Sequence, residues 1–96
     1  MDTIDIDDDN LHTFYSLVSN NVIRLRKQKK VSQLDLATSI GHTSATFLGK
    51  AEILAENRHF NMEHIYKIAT ALNVDICEFF KDIKTTSSNR VPKHSF

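Results

Sequence analysis

Residues 32–41 read Ser-Gln-Leu-Asp-Leu-Ala-Thr-Ser-Ile-Gly and carry the signals of a short helix with a defined start and end. Ser32 is a favourable N-cap residue, and Asp35 three positions later approximates a capping box. Gly41 can adopt the positive φ that closes many helices. Two helices that cross steeply through a short turn also need a small residue at their contact, which Ala37 supplies. The stretch therefore predicts the first helix and the turn of a helix-turn-helix unit.

The chain before this stretch predicts one long helix. Its apolar residues recur at spacings of three and four, which is the period of an amphipathic helix; they are Leu11, Phe14, Val18, Val22 and Leu25. We expect this helix to cover about residues 11–29. The polar run that begins at Ser19 leaves open a second helix start at that position.

The chain after the stretch predicts three further helices. Thr43 or Ser44 caps the first of these, and Asn57 is the best residue for its left-handed end because no glycine closes it. Asn61 and Asp75 are the predicted N-caps of the last two helices. We therefore expect an all-α fold, a compact five-helix domain.

Length and composition narrow the class of protein. A chain of 96 residues with 41% hydrophobic residues is enough for one domain with a single core. No apolar run approaches the roughly 20 residues that span a bilayer, and no basic end precedes an apolar stretch as in a signal peptide. The single cysteine, Cys77, excludes an internal disulfide. We expect a cytoplasmic protein.

The chemistry-bearing residues predict neither catalysis nor a bound cofactor. His59 and His64 are five positions apart, so they do not share a helix face, and no third metal ligand accompanies them. The chain has no glycine-rich phosphate loop and no arrangement of a nucleophile with a base. We expect no enzyme activity, no metal site and no cofactor.

Charge is distributed unevenly although the formal net charge is zero. Five of the twelve acidic residues lie within the first nine positions, so seven acids remain against twelve Lys and Arg after them, a net +5. A local basic excess of this kind is typical of nucleic-acid-binding surfaces. We expect an acidic disordered tail over residues 1–10, the helix-turn-helix DNA-binding domain over residues 11–83 and a flexible C-terminal tail over residues 84–96.

Three groups of residues resemble the lambda-repressor-like helix-turn-helix family, the Cro and phage-repressor type also called XRE. They are Leu25-Arg26, the run Val31-Ser32-Gln33-Leu34-Asp35-Leu36-Ala37 with Gly41, and the helix that contains Met62-Glu63, Ile65, Lys67-Ile68-Ala69 and Ala71-Leu72. The resemblance covers roughly residues 19–80. Three departures matter, and one of them is that the link from the third to the fourth helix is about two residues longer than usual. Lys30 stands where the family usually has glycine, so a non-glycine conformation is expected there. One extra residue follows Gly41, which favours Ser44 over Thr43 as the cap of the reading helix.

The resemblance implies roles for particular residues. Arg26 and Glu52 match a family pair that forms a partly buried salt bridge and orients the reading helix. The residues expected to face base edges in the major groove are Ala45, Thr46 and Lys50. The residues expected to contact phosphates are Gln33, Thr43, Ser44, Asn57 and Arg58. Lys50 could equally touch a phosphate or remain solvated.

Two functions follow from this interpretation. The first is sequence-specific binding of double-stranded DNA by a transcriptional regulator such as a repressor, acting as a homodimer that pairs through its surplus aromatic residues, Phe14, Tyr15, Phe79 and Phe80. The second is a protein-interaction module such as an antitoxin, which would bind a toxin and for which DNA binding is secondary. The acidic tail motivates the second, because it could bind a basic partner.

Overall fold

The computed structural model of the protein describes residues 8–83, and all regular structure within them is helical. Four α-helices are present: α1 (Asp8–Gln28), α2 (Gln33–Ser39), α3 (Thr46–Glu52) and α4 (Met62–Leu72). Two short 3₁₀ helices accompany them, a linking one at Ala55–Asn57 and a terminal one at Ile76–Phe80. The all-α prediction is confirmed for the described residues. The predicted count of five helices is not confirmed, because the predicted last helix, capped by Asp75, is a 3₁₀ helix and a further 3₁₀ helix links α3 to α4.

Helix α1 is longer and more continuous than predicted. It begins at Asp8, three residues before the expected start, and the carboxylates of Asp8 and Asp9 suit the positive end of the helix dipole. The helix passes through Ser19 without a second start, because the buried Ser19 hydroxyl donates to the Ala51 carbonyl at 2.9 Å. Residues 8–10 of the predicted acidic tail therefore belong to α1, and the tails predicted at residues 1–7 and 84–96 lie outside the described residues.

The turn between α1 and α2 uses a lysine where a glycine conformation is needed. Lys30 has a φ of 59°, and the amides of Lys30 and Val31 donate to the carbonyls of Lys27 and Arg26 at 3.0 and 3.1 Å. This is the hydrogen-bond pattern of a Schellman helix end, which requires a left-handed residue. The expectation of a non-glycine conformation at Lys30 was wrong, because the two hydrogen bonds hold the lysine in the left-handed region.

One core unites the four α-helices and the terminal 3₁₀ helix. The buried apolar side chains come from α1, α2, α3, α4, the loop before α4 and the terminal 3₁₀ helix; they are Val18, Val22, Leu25, Leu36, Ala37, Ile40, Leu48, Ala51, Phe60, Ile65, Ile68, Ala69, Leu72 and Phe79. Asn21 ties the end of the chain to α1, since its Nδ2 donates to the carbonyls of Phe79 and Lys81 at 3.0 and 3.1 Å. Phe79 is fully buried, so it cannot serve the dimer surface predicted for it.

The caps of the later elements follow the prediction. Asn61 caps α4 by accepting from the His64 amide at 2.8 Å, and Asp75 caps the terminal 3₁₀ helix by accepting from the Cys77 amide at 2.8 Å. Asn73 closes α4 with a left-handed φ of 54°. No helix among residues 8–83 is long and apolar enough to cross a membrane.

Candidate nucleic-acid interface

Helix α2 forms as its sequence predicts. The Ser32 hydroxyl accepts from the Asp35 amide at 3.0 Å, and the helix starts at the next residue, Gln33. Gly41 ends it with a φ of 98°, while the His42 amide donates back to the Ala37 carbonyl at 2.9 Å. Both the predicted cap and the predicted glycine end are confirmed. Leu36 and Ala37 face the core. The half-buried Gln33 lies at the start of α2, outside this buried face.

Helix α3 begins at Thr46, one residue later than the predicted cap at Ser44 implies. Its N-cap position is held by Ala45, with φ −82° and ψ 1°, and no side chain caps it. The Ser44 hydroxyl accepts from the Thr46 amide at 3.4 Å and donates to the Thr46 hydroxyl at 3.2 Å. Because the Ser44 hydroxyl is engaged in this local turn, the chain continues as bends over residues 43–45 before the helix forms.

Two of the three predicted base-contacting residues, Thr46 and Lys50, share one side of α3, and Ala45 is the residue before the helix. Thr46 is exposed, Ala45 is half-buried, and Lys50 lies one turn after Thr46 on the same side of the helix. A Cβ added to Gly49 would meet the Gln33 amide atoms at 3.6 and 3.9 Å, which is ordinary contact. Gly49 is therefore not forced by crowding against α2. Thr46 and Lys50 therefore lie one turn apart on the same side of α3.

A buried network joins α1, α2 and α3 at the base of this surface. The Arg26 guanidinium donates to both Glu52 carboxylate oxygens, at 2.7 and 3.1 Å, and to the Val31 carbonyl at 3.0 Å. Gln33 donates from Nε2 to the Glu52 carboxylate at 2.9 Å. The Arg26 and Glu52 side chains are only 10% and 3% exposed. The pair expected from the resemblance is thus present and buried, and it also fixes the amide of Gln33.

The loop after α3 contains the other predicted phosphate-contacting residues. Asn57 and Arg58 are exposed, but the expected left-handed end of the reading helix is not Asn57. Leu54 is the first residue with positive φ, at 58°, followed by Glu56 and Asn57 at 54° and 58°. The difference arises because α3 stops at Glu52 and a separate 3₁₀ turn follows it.

Arg58 and Asn57 also line a cleft beside the start of α1. This cleft has a volume of about 480 Å³ and includes Asp8, His12 and Tyr15 on its other wall. The His59 ring stacks on Tyr15, with centroids 3.9 Å apart and planes inclined by 13°. Asn57 and Arg58 therefore lie on the loop that packs against α1.

One acidic residue on this surface was not singled out from the sequence. Glu56 forms an ion pair with Lys50, and a hydrogen bond from Lys50 is the main reason that the pKa of Glu56 lies below its usual value. The positive charge of Arg58 lowers it further. Positions 50 and 56 are not helix neighbours, so no spacing rule pairs them. Only the left-handed turn brings the two together.

Two histidines also meet behind α3. His42 stacks on Phe47 with ring centroids 5.1 Å apart, and Phe47 contacts His64 at 4.5 Å. His64 Nδ1 accepts from the Asn61 amide at 3.0 Å and completes the capping box of α4. Burial lowers the pKa of His64, and the charge that His42 can carry lowers it further.

The described part of the chain holds no group of three or more His, Cys, Asp or Glu that could bind a metal ion. Comparison of the chain with family models, with curated proteins and with solved structures finds no match.

Proposed function

We propose that the protein binds double-stranded DNA sequence-specifically as a transcriptional regulator with a lambda-repressor-like fold, and that α3 enters the major groove. The observation that carries the proposal is the buried network of Arg26, Glu52 and Gln33. It locks α2 and α3 together, and a reading helix needs such a rigid support. On this support Thr46 and Lys50 share one accessible helix side.

The roles of the residues follow from their chemistry. Lys50 donates to guanine O6 and N7, and the methyl groups of Ala45 and Thr46 contact a thymine methyl. One N–H of the Gln33 side-chain amide donates to the Glu52 carboxylate, so the second N–H can donate to a phosphate oxygen. The hydroxyls of Thr43 and Ser44, with Asn57 and Arg58 on the loop, add phosphate contacts that set register without reading sequence.

We further propose that the protein acts as a homodimer on two half-sites about 34 Å apart. A groove of about 290 Å³ between α1 and α4 offers an apolar surface for pairing, and it includes Phe14, Tyr15, Met62 and Phe80. Met62 is 68% exposed and borders this groove.

The proposal is tested by selecting bound duplexes from a random pool and then comparing two variants on the selected site. Lys50→Ala should lose discrimination at one base pair, by about 1–3 kcal/mol, and bind other positions as before. Gln33→Ala should weaken all duplexes alike, because a phosphate contact carries no sequence information.

Gln28→Ala is the matched control, since Gln28 is an exposed glutamine at the end of α1. It should bind like the unchanged protein. Recovery of no preferred sequence from the pool, at low salt as well as high, would reject a sequence-specific regulator.

The exposed apolar groove also favours a second candidate function, a protein-interaction module such as an antitoxin. In that case the groove is the main binding surface and DNA binding is secondary. Met62→Asp would then abolish partner binding and leave the weak duplex affinity unchanged. A dimeric regulator predicts instead that Met62→Asp lowers affinity for a two-half-site duplex much more than for a single half-site.

A further inference from the structure

Most cations near the proposed DNA surface already have a carboxylate beside them. Arg26 is buried against Glu52, and Lys50 of α3 forms an ion pair with Glu56. Arg58 forms no ion pair with a described carboxylate, but its charge acts on Glu56 and helps to lower the pKa of that group. Sequence-independent affinity for DNA comes from Lys and Arg that neutralise phosphates. The residues expected to contact DNA therefore supply little of the free positive charge that this affinity needs.

Free cations are concentrated at the end of α1. Of the Lys and Arg within residues 8–83, those that form no ion pair with a described carboxylate are Lys27, Lys29, Lys30, Arg58 and Lys81. The first three lie within four consecutive positions, and all three are exposed. We call these three residues the lysine surface. Three like charges this close together favour binding of an anion that neutralises them.

The backbone under the lysine surface is fixed relative to Gln33, the expected phosphate contact at the start of α2. The amides of Lys30 and Val31 close the end of α1. The Arg26 guanidinium donates to the Val31 carbonyl at 3.0 Å and also to the Glu52 carboxylate. The same carboxylate accepts from Gln33 at 2.9 Å. Lys30 precedes Gln33 by three positions, so their Cα atoms are no more than about 11 Å apart.

The position of the lysine surface in the chain indicates what it meets. In a helix-turn-helix the first helix crosses the phosphate backbone while the second lies in the major groove. Helix α2 is the first helix of the proposed unit, and the lysine surface lies just before it. We propose that the lysine surface binds the backbone phosphates next to the one that Gln33 contacts, and that it supplies most of the affinity for duplex DNA of any sequence. This inference rests on the proposed function, since it places α2 across the backbone.

The simplest alternative is that the three lysines only stabilise α1. Cations at the C-terminus of a helix interact favourably with its dipole. That role changes the stability of the protein and leaves the salt dependence of DNA binding unaltered, so an experiment can separate the two.

The test compares the unchanged protein with the triple variant Lys27→Gln, Lys29→Gln and Lys30→Gln on two duplexes of equal length, a site selected from a random pool and an unrelated sequence. Affinities are measured by fluorescence anisotropy over a range of salt concentrations, at a temperature where circular dichroism shows both proteins to be folded. The triple variant should bind both duplexes about tenfold more weakly at low salt, because three exposed charge contacts are lost.

The salt dependence identifies the lost contacts as phosphate contacts. For the triple variant the slope of log affinity against log salt should become shallower by about 0.9 for each lysine that neutralises a phosphate. The ratio of the affinities for the two duplexes should stay unchanged, since phosphate contacts carry no sequence information.

Lys81→Gln is the matched control. Lys81 is also exposed and without an ion pair to a described carboxylate, but it follows the terminal 3₁₀ helix, where its carbonyl accepts from Asn21. The substitution removes one charge and should lower affinity less than any single Lys→Gln change in the lysine surface. Replacing the three lysines of that surface by arginine tests the charge itself, because arginine also binds phosphate. The arginine variant should keep the affinity and the slope of the unchanged protein.

Each outcome is decisive. An unchanged slope for the triple glutamine variant, or a reduced slope for the arginine variant, would overturn the inference. A loss for Lys81→Gln as large as for a single change in the lysine surface would also overturn it, because net charge alone would then explain the effect. So would a loss confined to the selected site, because the lysines would then read bases. If the unchanged protein binds neither duplex at any salt concentration, the proposed function fails, and this result is distinct from binding that is indifferent to the three lysines.

Discussion

The α2 half and the α3 half of the proposed DNA-binding unit are held in place by different means. Helix α2 begins at the hydroxyl cap of Ser32 and ends at Gly41, so both of its ends are encoded locally. Helix α3 begins at Thr46, no side chain caps it, and it ends at Glu52, two residues before Leu54, a left-handed residue other than glycine. The end of α3 is tied to the rest of the molecule through Glu52. The position of α3 therefore depends on tertiary contacts, whereas the two ends of α2 are set by its local sequence.

Helix α3 is anchored by the buried side chains of Leu48, Ala51 and Glu52, so its exposed residues can change while its position stays fixed. The predictions below test the contrast, from the largest expected effect to the smallest.

Glu52→Ala should lower the free energy of unfolding by about 3–5 kcal/mol, since it leaves the buried Arg26 guanidinium without its partner. Urea unfolding followed by circular dichroism measures the change. Glu63→Ala is the control, because Glu63 pairs with Lys67 at 2.7 Å on the exposed side of α4. An exposed pair contributes less than about 1 kcal/mol. Equal losses in the two variants would show that α3 does not depend on the buried network.

Ser32→Ala should cost about 1 kcal/mol, because it removes the cap of α2. Ser44→Ala should cost clearly less, because the Ser44 hydroxyl lies 3.4 Å from the Thr46 amide and does not cap α3. The same unfolding experiment compares them. A larger loss for Ser44→Ala would contradict the assignment of a locally encoded α2 and an uncapped α3.

Lys30→Gly should raise stability by about 0.5–1 kcal/mol, since glycine adopts the left-handed conformation of Lys30 without steric cost. Asn57→Gly should change stability less, because asparagine tolerates this conformation better than lysine does. Thermal melting of both variants provides the comparison. A Lys30→Gly protein less stable than the unchanged one would show that the turn before α2 is not strained.

The smallest expected effect is on the pH dependence of the free energy of unfolding, through His64 in the cluster with His42 and Phe47. Burial lowers the pKa of His64 in the folded protein, with His42, Lys67 and His59 lowering it further and Glu63 opposing them. A lowered folded pKa favours the neutral ring, so its stabilisation is fully present above the unfolded value of about 6.5. It is lost as the pH falls through the lowered folded pKa.

His64→Gln provides the matched variant, because glutamine at this position also completes a capping box but does not titrate. Unfolding free energies measured between about pH 8 and about pH 5 should decline less steeply for His64→Gln than for the unchanged protein. Parallel curves would remove His64 as the source of the acid sensitivity.

The sequence predicts the elements whose ends are set by local chemistry. Ser32, Gly41, Asn61 and Asp75 each act as expected, because a cap or a left-handed glycine depends on its immediate neighbours. Periodicity also predicts the buried face of α1 from Val18 to Leu25, but Leu11 and Phe14, which follow the same period, are exposed.

The start of α3 and the course of the following loop could not be predicted in the same way. Ser44 has the right chemistry for a cap, but its hydroxyl is taken by a local contact with Thr46. The left-handed residues Leu54 and Glu56 are not types that favour this conformation, so residue type does not predict it. The ion pair between Lys50 and Glu56 depends on that loop, and no pattern in the sequence signals it.

The most direct test of the central claim is the salt dependence of duplex binding by the purified protein. Fluorescence anisotropy of a labelled duplex carrying the selected site should give log affinity that falls linearly with log salt, with a slope near −0.9 for each neutralised phosphate. An unrelated duplex should bind more weakly at every salt concentration. Affinity that is unaffected by salt, or equal for the two duplexes throughout, would contradict the account of α3 as a DNA-reading helix.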